Sequence, residues 1–142
     1  MNDSHLFKAA KEVSKKADYT GGNNIVQIGC VVAYKGTILA KGYNTDRTHT
    51  IQAQYNKYRY NYKGNSYVPD KCHAELTALN KIRYLDIDFS KVRLYVYREH
   101  KNGHLAMARC CPSCLAAAKD LGIETIAYTT PDGYAIEKLR SD

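Results

Sequence analysis

Apolar positions along the chain switch between a helical period and the two-residue alternation of strands. From Ser4 to Ala17, Leu6, Ala9, Ala10, Val13 and Ala17 recur at helical spacing, while Lys8, Lys11, Lys15 and Lys16 fall largely on the outer side. This predicts an amphipathic helix with Ser4 as its N-cap, broken by Gly21-Gly22. Val26 to Tyr34 and Thr37 to Tyr43 read as strands joined by a hairpin at Lys35-Gly36. Helical spacing returns between Cys72 and Leu85 through Leu76, Leu79, Ile82 and Leu85, with Asp70 as a candidate cap. Val92 to Arg98 alternates as a strand and is followed by a turn around Lys101-Asn102-Gly103. Pro112 to Leu121 predicts a helix, because proline suits a first helical position and Gly122 stands just past the end. Ile123 to Thr129 predicts a fourth strand, Pro131-Asp132-Gly133 a turn, and Tyr134 to Leu139 a fifth strand.

Helices and strands that alternate in this order imply an α/β protein with helices packed on both faces of a mixed sheet. The last two strands are too close in sequence for a parallel crossover, which needs roughly a dozen or more residues, so they should pair as an antiparallel hairpin. Arg47 to Pro69 shows no clear period. A loop of that length inside a compact domain is usually functional. Without repeats or linkers, the 142 residues are expected to form one domain spanning 1–142.

Composition narrows the class. Hydrophobic residues at 44% and charged residues at 25% suit a folded chain rather than a disordered one. No apolar run approaches the roughly 20 residues that cross a bilayer, and the first residues lack a secretion pattern, so a cytoplasmic location without membrane contact is expected. The cysteines are Cys30, Cys72, Cys110, Cys111 and Cys114. An odd, clustered set without a secretion signal argues for metal or thiol chemistry rather than a disulfide framework. The net charge of +7 suits an anionic substrate or a nucleic acid, and equally serves solubility.

Two short motifs carry the chemistry. His73-Ala74-Glu75 opens one predicted helix, and Cys111-Pro112-Ser113-Cys114 opens another, 38 residues beyond His73. Cysteines three apart on a first helical turn project to one side and can share a tetrahedral ion. The positive end of the helix dipole favours their thiolates. One imidazole and two thiolates leave a fourth position open, which is how catalytic rather than structural zinc is held. Zinc lowers the pKa of a bound water to about 7. Glu75, two residues from a ligand, is then placed to act as general acid/base in attack on C4 of cytosine or C6 of adenine, and not as a ligand.

His73-Ala74-Glu75 together with Cys111-Pro112-Ser113-Cys114 resembles the signature of the cytidine deaminase-like superfamily. Gly42-Tyr43-Asn44, Leu105 to Cys114 and Tyr128 to Tyr134 resemble small phage-type cytidine/deoxycytidylate deaminases. The resemblance implies a three-layer α/β/α fold with a mixed sheet of 4–5 strands, and Zn2+ on His73, Cys111 and Cys114. It also implies substrate contacts from Asn44 and Ala74, and a homo-oligomer. The implied reaction is hydrolytic deamination of a cytosine nucleotide or nucleoside, deoxycytidylate first, releasing ammonia. The chain departs from the family in two places. Cys110 replaces the proline before the first cysteine and is expected to line the pocket or pack, as Cys72 is expected to pack. The C-terminal end stops before the further helix and parallel strand usual in some branches.

Three other readings stand beside this one. The same chemistry on single-stranded DNA, RNA or tRNA adenosine keeps every site residue. A Cys111–Cys114 dithiol oxidoreductase leaves His73-Ala74-Glu75 without a role. A non-catalytic zinc module leaves Glu75 without one. The Arg47–Pro69 segment carries Arg47, Lys57, Arg59 and Lys63, interleaved with Tyr55, Tyr58, Tyr60, Tyr62 and Tyr67. It suits a subunit interface or a lid over a nucleotide, with His49 near a phosphate, or a track for single-stranded nucleic acid.

Overall fold

The computed structural model describes residues 4–15, 27–43, 74–99, 103–110 and 112–139. Its elements are α1 (Ser4–Ser14), β1 (Ile28–Tyr34), β2 (Thr37–Tyr43), α2 (Ala74–Ile82), a 3-10 turn (Phe89–Lys91), β3 (Val92–Arg98), α3 (Pro112–Leu121), β4 (Thr125–Thr130) and β5 (Gly133–Lys138). The strands form one sheet in the order β2-β1-β3-β4-β5. Among the described strands only β3 and β4 run parallel, linked by the crossover through α3, and β4–β5 is the antiparallel hairpin that the short joint demands.

Both faces of the sheet centre are covered, so β1 is a continuous apolar run rather than an alternating one. Cys30 and Val32 of β1, Leu94 and Val96 of β3 and Ile126 of β4 share a core with α2 and α3. Val31, Ala33, Tyr95, Tyr97 and Ala127, from the same strands, pack with α1 instead. The period of two therefore sends alternate side chains to two cores, and the result is the three-layer α/β/α arrangement.

The helices lie close because the strands beneath them offer bare backbone. Gly42 of β2 sits under α2, and a Cβ there would stand 2.5 Å from the Ala74 carbonyl oxygen and 2.6 Å from the Ala78 nitrogen. Gly29 plays the same part on the opposite face, against Ala10 and Ser14 of α1. Phe7, a residue that helical spacing alone did not single out, is buried. It stacks on Tyr134 at 4.0 Å between ring centroids and meets Tyr95 edge-on at 5.3 Å.

Several boundaries differ from the sequence expectation. The first helix was expected to run to Ala17, but among the described residues it ends at Ser14, whose Oγ donates to the Lys11 carbonyl at 2.6 Å. Leu85 was expected to extend the buried stripe of α2. The chain instead tightens after Ile82, with the Leu85 amide donating to the Ile82 carbonyl, and Leu85 is exposed. Ile123 precedes β4 rather than opening it, because α3 closes in a Schellman cap. The Ile123 amide donates to Ala118 and the Gly122 amide to Lys119, with Gly122 at φ 99°. The 3-10 turn was not anticipated. Asp88 caps it by accepting from the Ser90 amide and hydroxyl, which hold its carboxyl below the ordinary value. No described helix is long and apolar enough to cross a membrane.

The two atoms nearest Gly42 are backbone and the third is the Cβ of Ala78, so none has a rotamer by which to yield. Gly42→Ala is expected to cost about 1–3 kcal/mol, the usual scale of overpacking, read as a lower urea midpoint at unchanged m-value. An unchanged midpoint would mean that α2 is not seated on β2 in this way.

Candidate active site

The strand registers place three strand ends together. Tyr43 at the end of β2 pairs with Gly29, Gly29 pairs with Tyr97 near the end of β3, and β4 runs parallel to β3. Crevices beyond the carboxyl ends of strands are where open α/β sheets bind ligands. The first turn of α2 meets the sheet at this edge through Gly42, and the segment leading to α3 leaves β3 from the same edge.

Two chemically significant side chains are buried in the first turns of these helices. Glu75, the second residue of α2, is only 5% exposed, and Cys114, the third residue of α3, is fully buried. Cys114, Cys110, Cys30 and Ala74 belong to one packed cluster, and α2 and α3 touch. A carboxylate removed from water is costly to hold and is a functional candidate wherever a cleft can use it. Burial, and secondarily the charge of Glu75, pushes the Cys30 thiol well up, against a weaker opposing hydrogen bond from the Tyr95 backbone. Cys30 is therefore a neutral neighbour of the carboxylate.

Of the residues singled out from sequence, the described ones are Ala74 and Glu75 in the first turn of α2 and Cys114 in that of α3, and all three are buried. Ala74 is fully buried as the first residue of α2, and Cys110 packs in the core as expected. His73, Cys111 and Asn44 lie outside the described residues, as do Cys72, His49 and the Arg47–Pro69 segment. Among the described residues no three His, Cys, Asp or Glu side chains group as a metal site.

Sequence reasoning missed how the approach to α3 is fixed. After β3 the chain turns back, with Glu99 bridged to Leu105 and the Ala106 amide donating to the Arg98 carbonyl. The Ala108 amide then donates to the Thr129 carbonyl at 2.9 Å. The fully buried Thr129 hydroxyl donates to the Ala106 carbonyl at 2.7 Å and accepts from the Arg98 amide at 3.1 Å. One side chain thus joins the end of β3 to the returning segment. Farther along, Arg109 grips Glu137 of β5 through two bonds of 2.8 Å, and the Tyr128 hydroxyl donates to the same carboxylate at 3.0 Å. The Arg109 guanidinium, helped by Tyr128, holds the Glu137 carboxyl below its ordinary value. A partner 28 residues away becomes visible only once the β4–β5 register is known.

Comparison with known proteins agrees with this fold. The model of the cytidine and deoxycytidylate deaminase zinc-binding region matches residues 1–130, and the chain belongs to that deaminase family. Among solved structures, the chain is similar to the cytidine deaminase of Burkholderia pseudomallei. That match has 18% identity and a TM-score of 0.62, and covers 97% of this chain and 93% of that one. It is also similar to the dCMP deaminase of cyanophage S-TIM5 in its apo form, at 22% identity and a TM-score of 0.57, covering 89% and 80%. The same phage enzyme in complex with dCMP and dUMP matches at 21% identity and a TM-score of 0.57, covering 89% and 79%. No curated protein matches the chain.

Two predictions follow from the approach to α3. Thr129→Val should cost about 1–3 kcal/mol by leaving the Ala106 carbonyl and Arg98 amide unsatisfied, while Thr129→Ser retains most of the stability; equal losses in denaturant midpoint would contradict this. The Arg109–Glu137 pair is partly exposed, at 45% and 31%, so its contribution is only about 0–1 kcal/mol. A carboxyl with a lowered folded pKa stabilises above its unfolded value and loses that contribution as pH falls through the folded one. The stability difference between wild type and Glu137→Gln should therefore be present at neutral pH and vanish on acidification below the ordinary value of 4.5.

Proposed function

We propose that the chain is a zinc-dependent hydrolytic deaminase converting a cytosine nucleotide, deoxycytidylate first, to its uracil form with release of ammonia. The observation that carries this reading is the burial of Glu75 and Cys114 in the first turns of two touching helices at the carboxyl end of the sheet. Membership of a family defined by its zinc-binding region supports it. The structural similarity to a phage enzyme solved with dCMP and dUMP makes deoxycytidylate the first substrate to try.

The residues fit the metal. Cys114 offers a buried, soft sulfur donor of the kind that zinc takes, and His73 and Cys111 would complete the set from positions adjoining the first turns of α2 and α3. When bound, zinc supplies Lewis-acid activation of water near neutral pH. Glu75 does the proton work. Its carboxylate takes a proton from the attacking water, delivers it to the ring nitrogen N3, and then helps the exocyclic amine leave C4 as ammonia. Burial suits this role, since a carboxylate shielded from bulk water exchanges its proton with the substrate alone. Ala74, fully buried at the head of α2, and Asn44, next after β2, are assigned to substrate contact.

The dithiol oxidoreductase is disfavoured because it leaves the buried carboxylate of Glu75 without a role.

The test is ammonia release by zinc-loaded protein offered dCMP, dCTP, cytidine and a single-stranded oligonucleotide. Turnover of dCMP is expected, whereas turnover of the oligonucleotide alone would overturn the substrate assignment. Glu75→Ala should keep one zinc per chain and lose about 10²–10⁴ in rate, the usual scale for general acid/base removal. Cys114→Ser should lose zinc and activity together. A Glu75→Ala variant near the wild-type rate would remove Glu75 from the mechanism.

A further inference from the structure

The sheet face that carries α1, opposite Glu75 and Cys114, holds two cavities placed in succession along the same two strands. The first, about 430 Å³, is lined by Lys8, Lys11 and Lys15 of α1 with Tyr97 of β3 and Tyr134 of β5. The second, about 490 Å³, is lined by Lys35, Lys91, Arg93 and Lys138, with Tyr95 of β3 in its wall. Tyr95 and Tyr97 are two apart on β3, and Tyr134 and Lys138 are four apart on β5, so each pair lies on one face of its strand. Ile136 stands between Tyr134 and Lys138 and is 57% exposed, forming a ridge that joins the cavities. Seven cations line the pair, against the two carboxylates Glu12 and Glu124. Tyr134 is 55% exposed although Phe7 stacks against its ring, so the ring is braced on one side and open to a ligand on the other.

We propose that this face binds a single strand of nucleic acid, independently of the deaminase site on the opposite face. A compact anion would be satisfied by one cationic cluster. Two clusters flanking an exposed aromatic and apolar ridge suit a polymer whose phosphates meet the lysines while a base stacks on Tyr134. From Tyr134 to Lys138 a strand covers about 13 Å, room for successive nucleotides along one extended chain.

The experiment is fluorescence anisotropy of a labelled fifteen-nucleotide oligo-dT with the full chain, titrated at several salt concentrations. Binding that weakens linearly on a log-log salt plot is expected. Lys91→Ala with Lys138→Ala should weaken binding and shallow that plot by about 1–2, given about 0.7 per single-strand phosphate contact. Tyr134→Ala should weaken binding about fivefold or more at unchanged slope, and Tyr134→Phe should restore it. Deamination of dCMP should be unaffected by the lysine pair, so failure here and failure of the catalytic assignment read out separately. The proposal is overturned if wild-type protein does not bind the oligonucleotide. It is also overturned if the lysine pair binds like wild type, or if poly-glutamate or tripolyphosphate competes as well as unlabelled oligo-dT.

Discussion

A helix can bring its first turn down onto a sheet only where the strand beneath gives up its side chain. Gly42 is that place for α2: the backbone of Ala74 and Ala78 fills the space a Cβ would take. Ala74 is buried because of this approach, and Glu75, the next residue, is carried into the interior beside Cys30, which Gly42 pairs across the strands. Any residue with a side chain at 42 would lift the helix and return the carboxylate toward water, where it has no special chemistry. The close approach is therefore the condition on which the rest of the site depends.

The second half of the site is reached by a different device. Residues 103–110 are not part of the sheet, yet their course is fixed by the Thr129 hydroxyl, by the Ala108–Thr129 backbone bond and by the Arg109 grip on Glu137. These bonds deliver the chain to the start of α3 with Cys110 and Cys114 already buried. A helix start held in this way has little freedom to relax, which is what the metal-binding role proposed for Cys114 would require if its geometry is to be set before the metal arrives. One helix is positioned by what a strand lacks, the other by what a strand offers.

The sequence carried the architecture further than it carried the site. Strand and helix identities followed from period, and the β4–β5 hairpin followed from a joint too short for a crossover. Leu85 and Ile123 were misplaced because caps and tightened turns depend on backbone bonds that no side-chain pattern encodes. Glu75 and Cys114 drew attention in the sequence because each stands two or three residues from another donor, His73 or Cys111. Thr129 was not, since a threonine near a strand end looks the same whether its hydroxyl meets water or two backbone groups 23 and 31 residues away. The value of Gly42 was equally hidden, because closeness between a strand and a helix is a property of packing.

The two faces of the sheet divide the molecule into a buried layer that carries the proposed catalytic residues and an open cationic one, with only alternate side chains of the same strands separating them. The catalytic reading rests on a single arrangement, in which two helix starts offer their donors to one ion. X-ray absorption at the zinc edge of the loaded protein tests it most directly. The account predicts one zinc with two sulfurs at about 2.3 Å, one nitrogen at about 2.0–2.1 Å and one further light atom. Four sulfurs around the metal, or none, would contradict it.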